Sequence, residues 1–257
     1  MSAPAPAAMT VAPANPPWLV RLGKFCFKTR NALFPVVLIT LFIVTAPVVP
    51  PGGVRVARLL DLVGLLVAVA GQTLRVAVIG YRYIVRGGRD HQVYANDLVT
   101  SGIFGLSRNP LYVGNLLIMG GLFIIWNSPW LYLIGGPFFL LGYRAIVAAE
   151  EDYLGREFGD AYIAYARQTP RWWPRLAAFG AATTGIPFNW RRVVLKEYSS
   201  TALWMAAAAM LLMLKARYYA GLAETTAPAW PYWTAVAVLA LLWSGARYLK
   251  KSRRLRE

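Results

Sequence analysis

Six apolar runs set the terms for this chain: Leu33 to Val49, Leu59 to Gly80, Leu111 to Trp126, Trp130 to Ala149, Thr201 to Leu214 and Tyr232 to Tyr248. A helix needs roughly 20 residues to cross a bilayer, and the longer runs approach that length. Hydrophobic residues make up 58% of the sequence, against roughly 45–50% in soluble domains. Within lipid a backbone must satisfy its own hydrogen bonds, as a helix does. The expectation is an all-α, polytopic integral membrane protein with about six transmembrane helices.

The basic residues orient it. Arg21, Lys24, Lys28 and Arg30 precede the first run. Arg82, Arg86, Arg89 and Arg108 lie between the second and third. Arg156, Arg167, Arg171, Arg175, Arg191, Arg192 and Lys196 follow the fourth, and KKSRRLRE follows the sixth. The alternate loops hold only Arg55 and Arg58, then none in Asn127-Ser128-Pro129, then Lys215 and Arg217. Lys and Arg collect on the cytoplasmic side, so both termini are expected in the cytoplasm and, in a bacterium, at the inner membrane. The net charge of +16 is read as this topology, with the lipid bilayer as partner and no nucleic acid. Trp126, Trp130, Tyr132, Trp230, Tyr232 and Trp233 fall at the opposite ends of the runs, as interfacial aromatics do.

Residues 1–30 read as a disordered Ala/Pro-rich tail and a basic approach. Residues 31–176 read as a four-span core, 177–200 as a small-residue linker, and 201–257 as an extra transmembrane hairpin with a basic tail. One cysteine, Cys26, and one histidine, His91, exclude an intramolecular disulfide and leave too few ligands for a thiolate or imidazole metal cluster. No metal is expected. His91 reads as a solvated loop residue, and Arg75, inside the second run with Gln72, as a side chain snorkelling to the cytoplasmic end. Nothing in the sequence fixes an oligomeric state.

Chemistry gathers at two places. In LVTSGIFGLSRNPLY, Gly102 and Gly105 precede a helix that Pro110 suits as a first residue. A helix N-terminus offers free N–H groups and partial positive charge, and Arg108 adds a guanidinium fork, so an anionic or carboxylate-bearing ligand fits. In YRAIVAAEEDYLGREFGDAYIAYARQTPR, Glu150 and Glu151 end an apolar helix, and Arg144 lies near the membrane. The Asn127-Ser128-Pro129 turn folds the third and fourth spans into an antiparallel hairpin, which returns Glu150 and Glu151 to the surface of Arg108. The aromatic residues Tyr153, Phe158, Tyr162 and Tyr165 then read as a short helix and turn on the membrane surface.

These two stretches, in this order and with a hairpin between them, resemble the isoprenylcysteine carboxyl methyltransferase family. That family belongs with the phospholipid N-methyltransferases in a wider set of membrane methyltransferases. The resemblance runs from about Arg75 to Pro174. It implies S-adenosylmethionine as cofactor, bound at the cytoplasmic face by a segment following the fourth span, and a lipophilic acceptor: an isoprenylcysteine carboxylate, a phospholipid amine or a small thiol. By the resemblance, cofactor contacts fall on Asp97, Leu98, Val99, Gly102, Phe104, Arg108, Asn109, Pro110, Tyr112, Glu150 and Glu151. Glu151 is the candidate base for an amine acceptor, and Arg144 or Arg171 the candidate arginine for an acceptor carboxylate. Three residues depart from the pattern. Asn109 replaces a usual His, Phe104 a common Tyr, and Ile146 the arginine that faces the acceptor carboxylate. A sterol-type membrane reductase and a transporter or scaffold are the rival readings.

Overall fold

The computed structural model describes residues 15–82, 93, 95, 97–223 and 227–252. His91, Arg86, Arg89, residues 1–14 of the N-terminal tail and the end of the basic C-terminal tail lie outside them. Among the described residues all regular structure is helical: α1 (Pro17–Val44), α2 (Gly53–Tyr81), α3 (Pro110–Trp126), α4 (Gly136–Gln168), a short α5 (Phe179–Thr183), α6 (Trp190–Leu222) and α7 (Trp230–Lys251). A π-helical turn, Leu131–Gly135, opens α4.

Four helices are long and apolar enough to cross a membrane: Pro17–Val44, Gly53–Tyr81, Leu131–Gln168 and Trp190–Leu222. Pro110–Trp126 is a shorter apolar helix. The sixth expected span coincides with α7, which is helical but is not among the four. Val36, Ile39 and Ile43 on α1, Leu59, Leu62 and Leu66 on α2, and Leu203 on α6 are exposed. Large exposed apolar surface of this kind requires an apolar solvent or a partner, and lipid supplies it.

Two expected boundaries move. The basic residues placed before the first span lie inside the opening turns of α1, which starts at Pro17. Part of the expected linker is helix, because α6 starts at Trp190, where the Asn189 side chain accepts from the Arg192 backbone N–H at 2.9 Å. Such a side-chain cap satisfies one of the orphan donors of the first turn.

The core is built on contact between backbones. Gly64 and Gly71 lie two turns apart on one face of α2, and Gly114 and Gly121 do the same on α3. A Cβ built on Gly71 would sit 2.6 Å from the Gly114 carbonyl oxygen, and one on Gly64 would sit 2.6 Å from that of Gly121. Small residues that admit this approach are the recurrent means of helix packing in lipid, where burial of apolar surface drives nothing. On the other side α1 packs on α4, with Gly23 against the Ala145 carbonyl and Phe34 edge-on to Phe139 and Tyr143, both at 5.3 Å between ring centres.

Ion pairs fix α6 against α2 at both ends. Arg75 forms a bidentate pair with Glu197, at 2.7 and 2.8 Å, and Gln72 and Ser200 join it. The Arg75 side chain is 7% exposed, so it does not snorkel: it is buried and paired, as intramembrane charges must be. Near the other end Lys215, expected in a loop, is buried within α6 and pairs with Asp61 and the Ile125 carbonyl.

The expected hairpin of α3 and α4 is present, turning through Asn127 in the left-handed conformation. The two helices are splayed, however. Their main partners are α2 and α1 respectively, and a wedge stays open between them. A substitution at the α2–α3 contact should therefore be costly where its neighbour is not. Gly114→Val should lower the thermal unfolding midpoint in detergent, by an overpacking cost of roughly 1–3 kcal/mol. Gly120, whose Cβ would meet nothing within 4 Å, should accept Ala with a midpoint unchanged or raised.

Candidate functional site

The start of α3 is held in place by the chain that leaves α4. The Arg108 backbone N–H donates to the Pro170 carbonyl at 2.9 Å, and the Arg175 N–H to Leu106 at 3.2 Å. The Ser107 hydroxyl donates to the Trp172 carbonyl at 2.7 Å, and the Asn109 side-chain amide to the Arg171 carbonyl at 3.0 Å. Asn109, where the resemblance leads one to expect His, thus seats the backbone of Arg171. Gly159 makes the return path possible. Its φ of 49° and ψ of −126° break α4 in a conformation that essentially only glycine adopts. Beyond it Tyr162 reaches Arg108 at 3.5 Å, and the Tyr165 hydroxyl donates to the Phe104 carbonyl at 2.7 Å.

Two carboxylates meet this arrangement differently. Glu151 Oε1 accepts from Arg108 at 2.8 Å and from Arg171 Nε at 3.0 Å. Its Oε2 accepts from the second Arg171 nitrogen and from Asn15 at 3.2 Å. A carboxylate offers about four lone-pair sites, and those of Glu151 are committed to its neighbours. Glu150 is freer. Its Oε1 accepts the Tyr112 hydroxyl proton at 2.6 Å, and the same hydroxyl accepts from Arg30 at 3.1 Å. Among the described residues the other oxygen of Glu150 has no hydrogen-bond partner, and the Nε of Arg108 is a buried donor without an acceptor.

Arg108 and Glu150 both line one cavity of about 790 Å³, within the roughly 300–1,000 Å³ of small-molecule sites. It occupies the wedge between α3 and α4, with α1 and α6 as further walls. One end is polar, with Asp97, Arg108, Tyr112, Glu150, Glu151 and Tyr162. The other is apolar, with Phe34, Leu38, Ile118, Met119, Leu122 and Phe139. Pro35 and Ile39 of α1 and Leu203 of α6 line the cavity while exposed on the outer surface, so its flank opens toward lipid.

Of the sequence candidates, Asp97, Leu98, Val99, Phe104, Arg108, Asn109, Pro110, Tyr112, Glu150 and Glu151 all line this cavity. Gly102 is buried beside it without lining it, held at φ 64°. Arg144 is exposed and does not line it, and Ile146 is fully buried. Sequence reasoning did not select Arg30, Asn115, Tyr143, Tyr162 or Ser200 for the site. Arg30 was counted among loop charges. Its spacing to Phe34 and Leu38, one helix face, was the available signal.

The lining suits an amino-acid-bearing ligand: a guanidinium at a helix N-terminus for a carboxylate, and an open carboxylate oxygen for an ammonium. Comparison with known proteins gives a family match for part of the chain. The phospholipid methyltransferase family profile matches residues 60–161. A cobalt-zinc-cadmium resistance protein of Cupriavidus metallidurans is 38% identical over 89 residues, 35% of this chain and 41% of that protein. A nickel-cobalt-cadmium resistance protein of Alcaligenes xylosoxydans xylosoxydans is 37% identical over 90 residues, 35% of this chain and 42% of that protein. The match thus spans about two fifths of the length of these curated relatives. No solved structure matches. Residues 60–161, which hold α3, Arg108 and both glutamates, are a domain of the phospholipid methyltransferase family, the membrane methyltransferases that include the isoprenylcysteine carboxyl methyltransferases.

Proposed function

We propose that the protein transfers a methyl group from S-adenosylmethionine to a lipophilic acceptor held in the membrane. The observation that carries this reading is the two-ended cavity: polar and charged where α3 begins, apolar along α3 and α1, and open toward lipid between α1 and α6. Bound there, the cofactor would supply a methyl on a sulfonium, whose C–S electron pair stays with sulfur as an acceptor lone pair forms the new bond.

The chain's own residues bind and align. The Arg108 guanidinium and the N-terminal turn of α3 would hold the cofactor carboxylate. The free oxygen of Glu150 would hold the ammonium, with the Tyr112 hydroxyl fixing the Glu150 rotamer. Glu151 organises Arg108 and Arg171, and its filled coordination leaves it no lone pair for an acceptor proton, so it serves as a positioning residue in preference to a base. Arg144 has no part in this arrangement. Fixing donor and acceptor at contact distance in a site without water is the main contribution such a protein makes. In this reading the polar end faces the cytoplasm, both termini lie on that side, and the acceptor enters from lipid. The metal ions in the relatives' names belong to those proteins.

Two outcomes test it. S-adenosylhomocysteine should bind the detergent-purified protein saturably. Glu150→Ala should weaken that binding at least about ten-fold, the scale of one charge-assisted hydrogen bond. Absence of binding to the folded protein would overturn the reading. Stability should separate the two acids in the opposite sense. Glu151→Ala strands Arg108 and Arg171 beside each other, and removing one partner of a buried ion pair costs roughly 3–5 kcal/mol. Glu150→Ala loses a single phenol contact. The unfolding midpoint should therefore fall much further for Glu151→Ala than for Glu150→Ala.

A further inference from the structure

Among the described residues, one cation lining the cavity has no carboxylate in direct contact. Arg75 is committed to Glu197, and Arg108 and Arg171 to Glu151. Arg30 also lines the cavity, but among the described residues its one hydrogen-bond partner is the neutral Tyr112 hydroxyl. Its guanidinium lies 3.9 Å from the centre of the Phe27 ring, and among the described residues it has no direct ion pair: Glu150 reaches it only through the shared Tyr112 hydroxyl. A half-buried guanidinium left with a phenol and an aromatic face retains donors for an anion.

Its place in the cavity says which anion. Arg30 stands at the head of the α1 face that continues through Phe34 and Leu38. Tyr112 stands at the head of the α3 face that continues through Ile118, Met119 and Leu122. Below Arg30 the lining from α1 runs as far as Ile39, about 13 Å at 1.5 Å per residue. The Arg108–Glu151 cluster, which suits the cofactor, lies on the other side of Tyr112 and Glu150. The free cation thus sits at the border between the charged end and the apolar shaft.

We infer that Arg30 is the anchor for an anionic head group of the acceptor, and that the acceptor is an amphiphile with a carboxylate or phosphate head and an apolar chain laid along α1 and α3. The assignment as acceptor site rests on the methyltransferase reading; the anion site itself does not. Arg30 takes on the task for which Ile146 has no charge, and it does so from α1, outside the family-matched residues.

The test uses the full chain in phosphatidylcholine nanodiscs and measures displacement of radiolabelled laurate by laurate, dodecyl phosphate and dodecanol. The wild-type protein should prefer the two anions to the alcohol by about ten-fold or more, the scale of one charge-assisted hydrogen bond. Whichever of laurate and dodecyl phosphate binds tighter identifies the head group. Arg30→Gln should erase the preference, and Arg30→Lys should keep part of it. Leu38→Trp, which fills the shaft, should abolish binding of all three while changing S-adenosylhomocysteine affinity by less than about three-fold. Equal binding of anion and alcohol by the wild-type protein, a preference that survives Arg30→Gln, or amphiphile binding that survives Leu38→Trp would each overturn the inference. If Arg30→Gln fails to fold, the wild-type preference and the Arg30→Lys and Leu38→Trp variants decide it. An intact anion preference without S-adenosylhomocysteine binding would remove the methyl-transfer reading and leave Arg30 as an anion site. The converse would remove Arg30 alone.

Discussion

The contact of α2 with α3, glycine backbone against glycine backbone, is the constraint on which the rest of the structure depends. Gly64 and Gly71 meet Gly121 and Gly114 with no room for a Cβ. This clamps α3 to α2 along its length and leaves α3 free of its sequence neighbour α4. With α4 drawn to α1 instead, by Gly23 and by the rings around Phe34, the α3–α4 hairpin opens into a wedge. The cavity is that wedge. Had α3 and α4 packed as a close pair, Tyr112 and Glu150 would still have met, but the space beneath them would have been filled by side chains.

A wedge in a membrane protein needs its polar end closed electrostatically, and the chain does this with committed pairs. Arg108, Arg171 and Glu151 form a compact cluster tied back to Asn15. Arg75 and Glu197 form another, with Asn115 also bonded to Arg75. Each charge so neutralised is rigid and structural. Among the described residues, the charged groups that remain available at the cavity surface are few and chemically distinct: Asp97, one oxygen of Glu150, and Arg30. The uncommitted groups say more about binding than the conspicuous ion pairs do.

The helical class, the membrane setting and the joining of Arg108 to the Glu150-Glu151 turn were legible in the sequence, because each rests on local signals: apolar run length, a proline at a helix start, and a tight turn between two runs. Pairings between distant charges were not. Arg75 read as a snorkelling residue because its partner, Glu197, lies far along the chain in a segment that reads as a linker. Lys215 read as a loop charge because Asp61 lies equally far away. Arg30 read as part of a basic approach because hydropathy windows start α1 too late, and the helix that carries it reaches back to Pro17. In each case a charged side chain near an apolar run was assigned to water, whereas packing against another helix had given it a partner or a cavity.

The same comparison divides the site by origin. In the proposed reading, the family-matched residues 60–161 contain the groups assigned to the cofactor: Arg108, Tyr112 and Glu150. The walls that meet the apolar shaft on its other sides, Arg30, Phe34 and Leu38 on α1 and Ser200, Leu203 and Trp204 on α6, lie outside that segment. A methyl donor common to a family of methyltransferases asks for constant geometry around its methionine end. Acceptors differ in head group and chain, so the walls that read them are free to come from other helices. Under the proposed function the cofactor end is a family feature, whereas the acceptor shaft joins Ile118, Met119, Leu122 and Phe139 of the matched segment to walls from α1 and α6. The residue proposed to read the acceptor head group, Arg30, comes from α1, outside the matched segment.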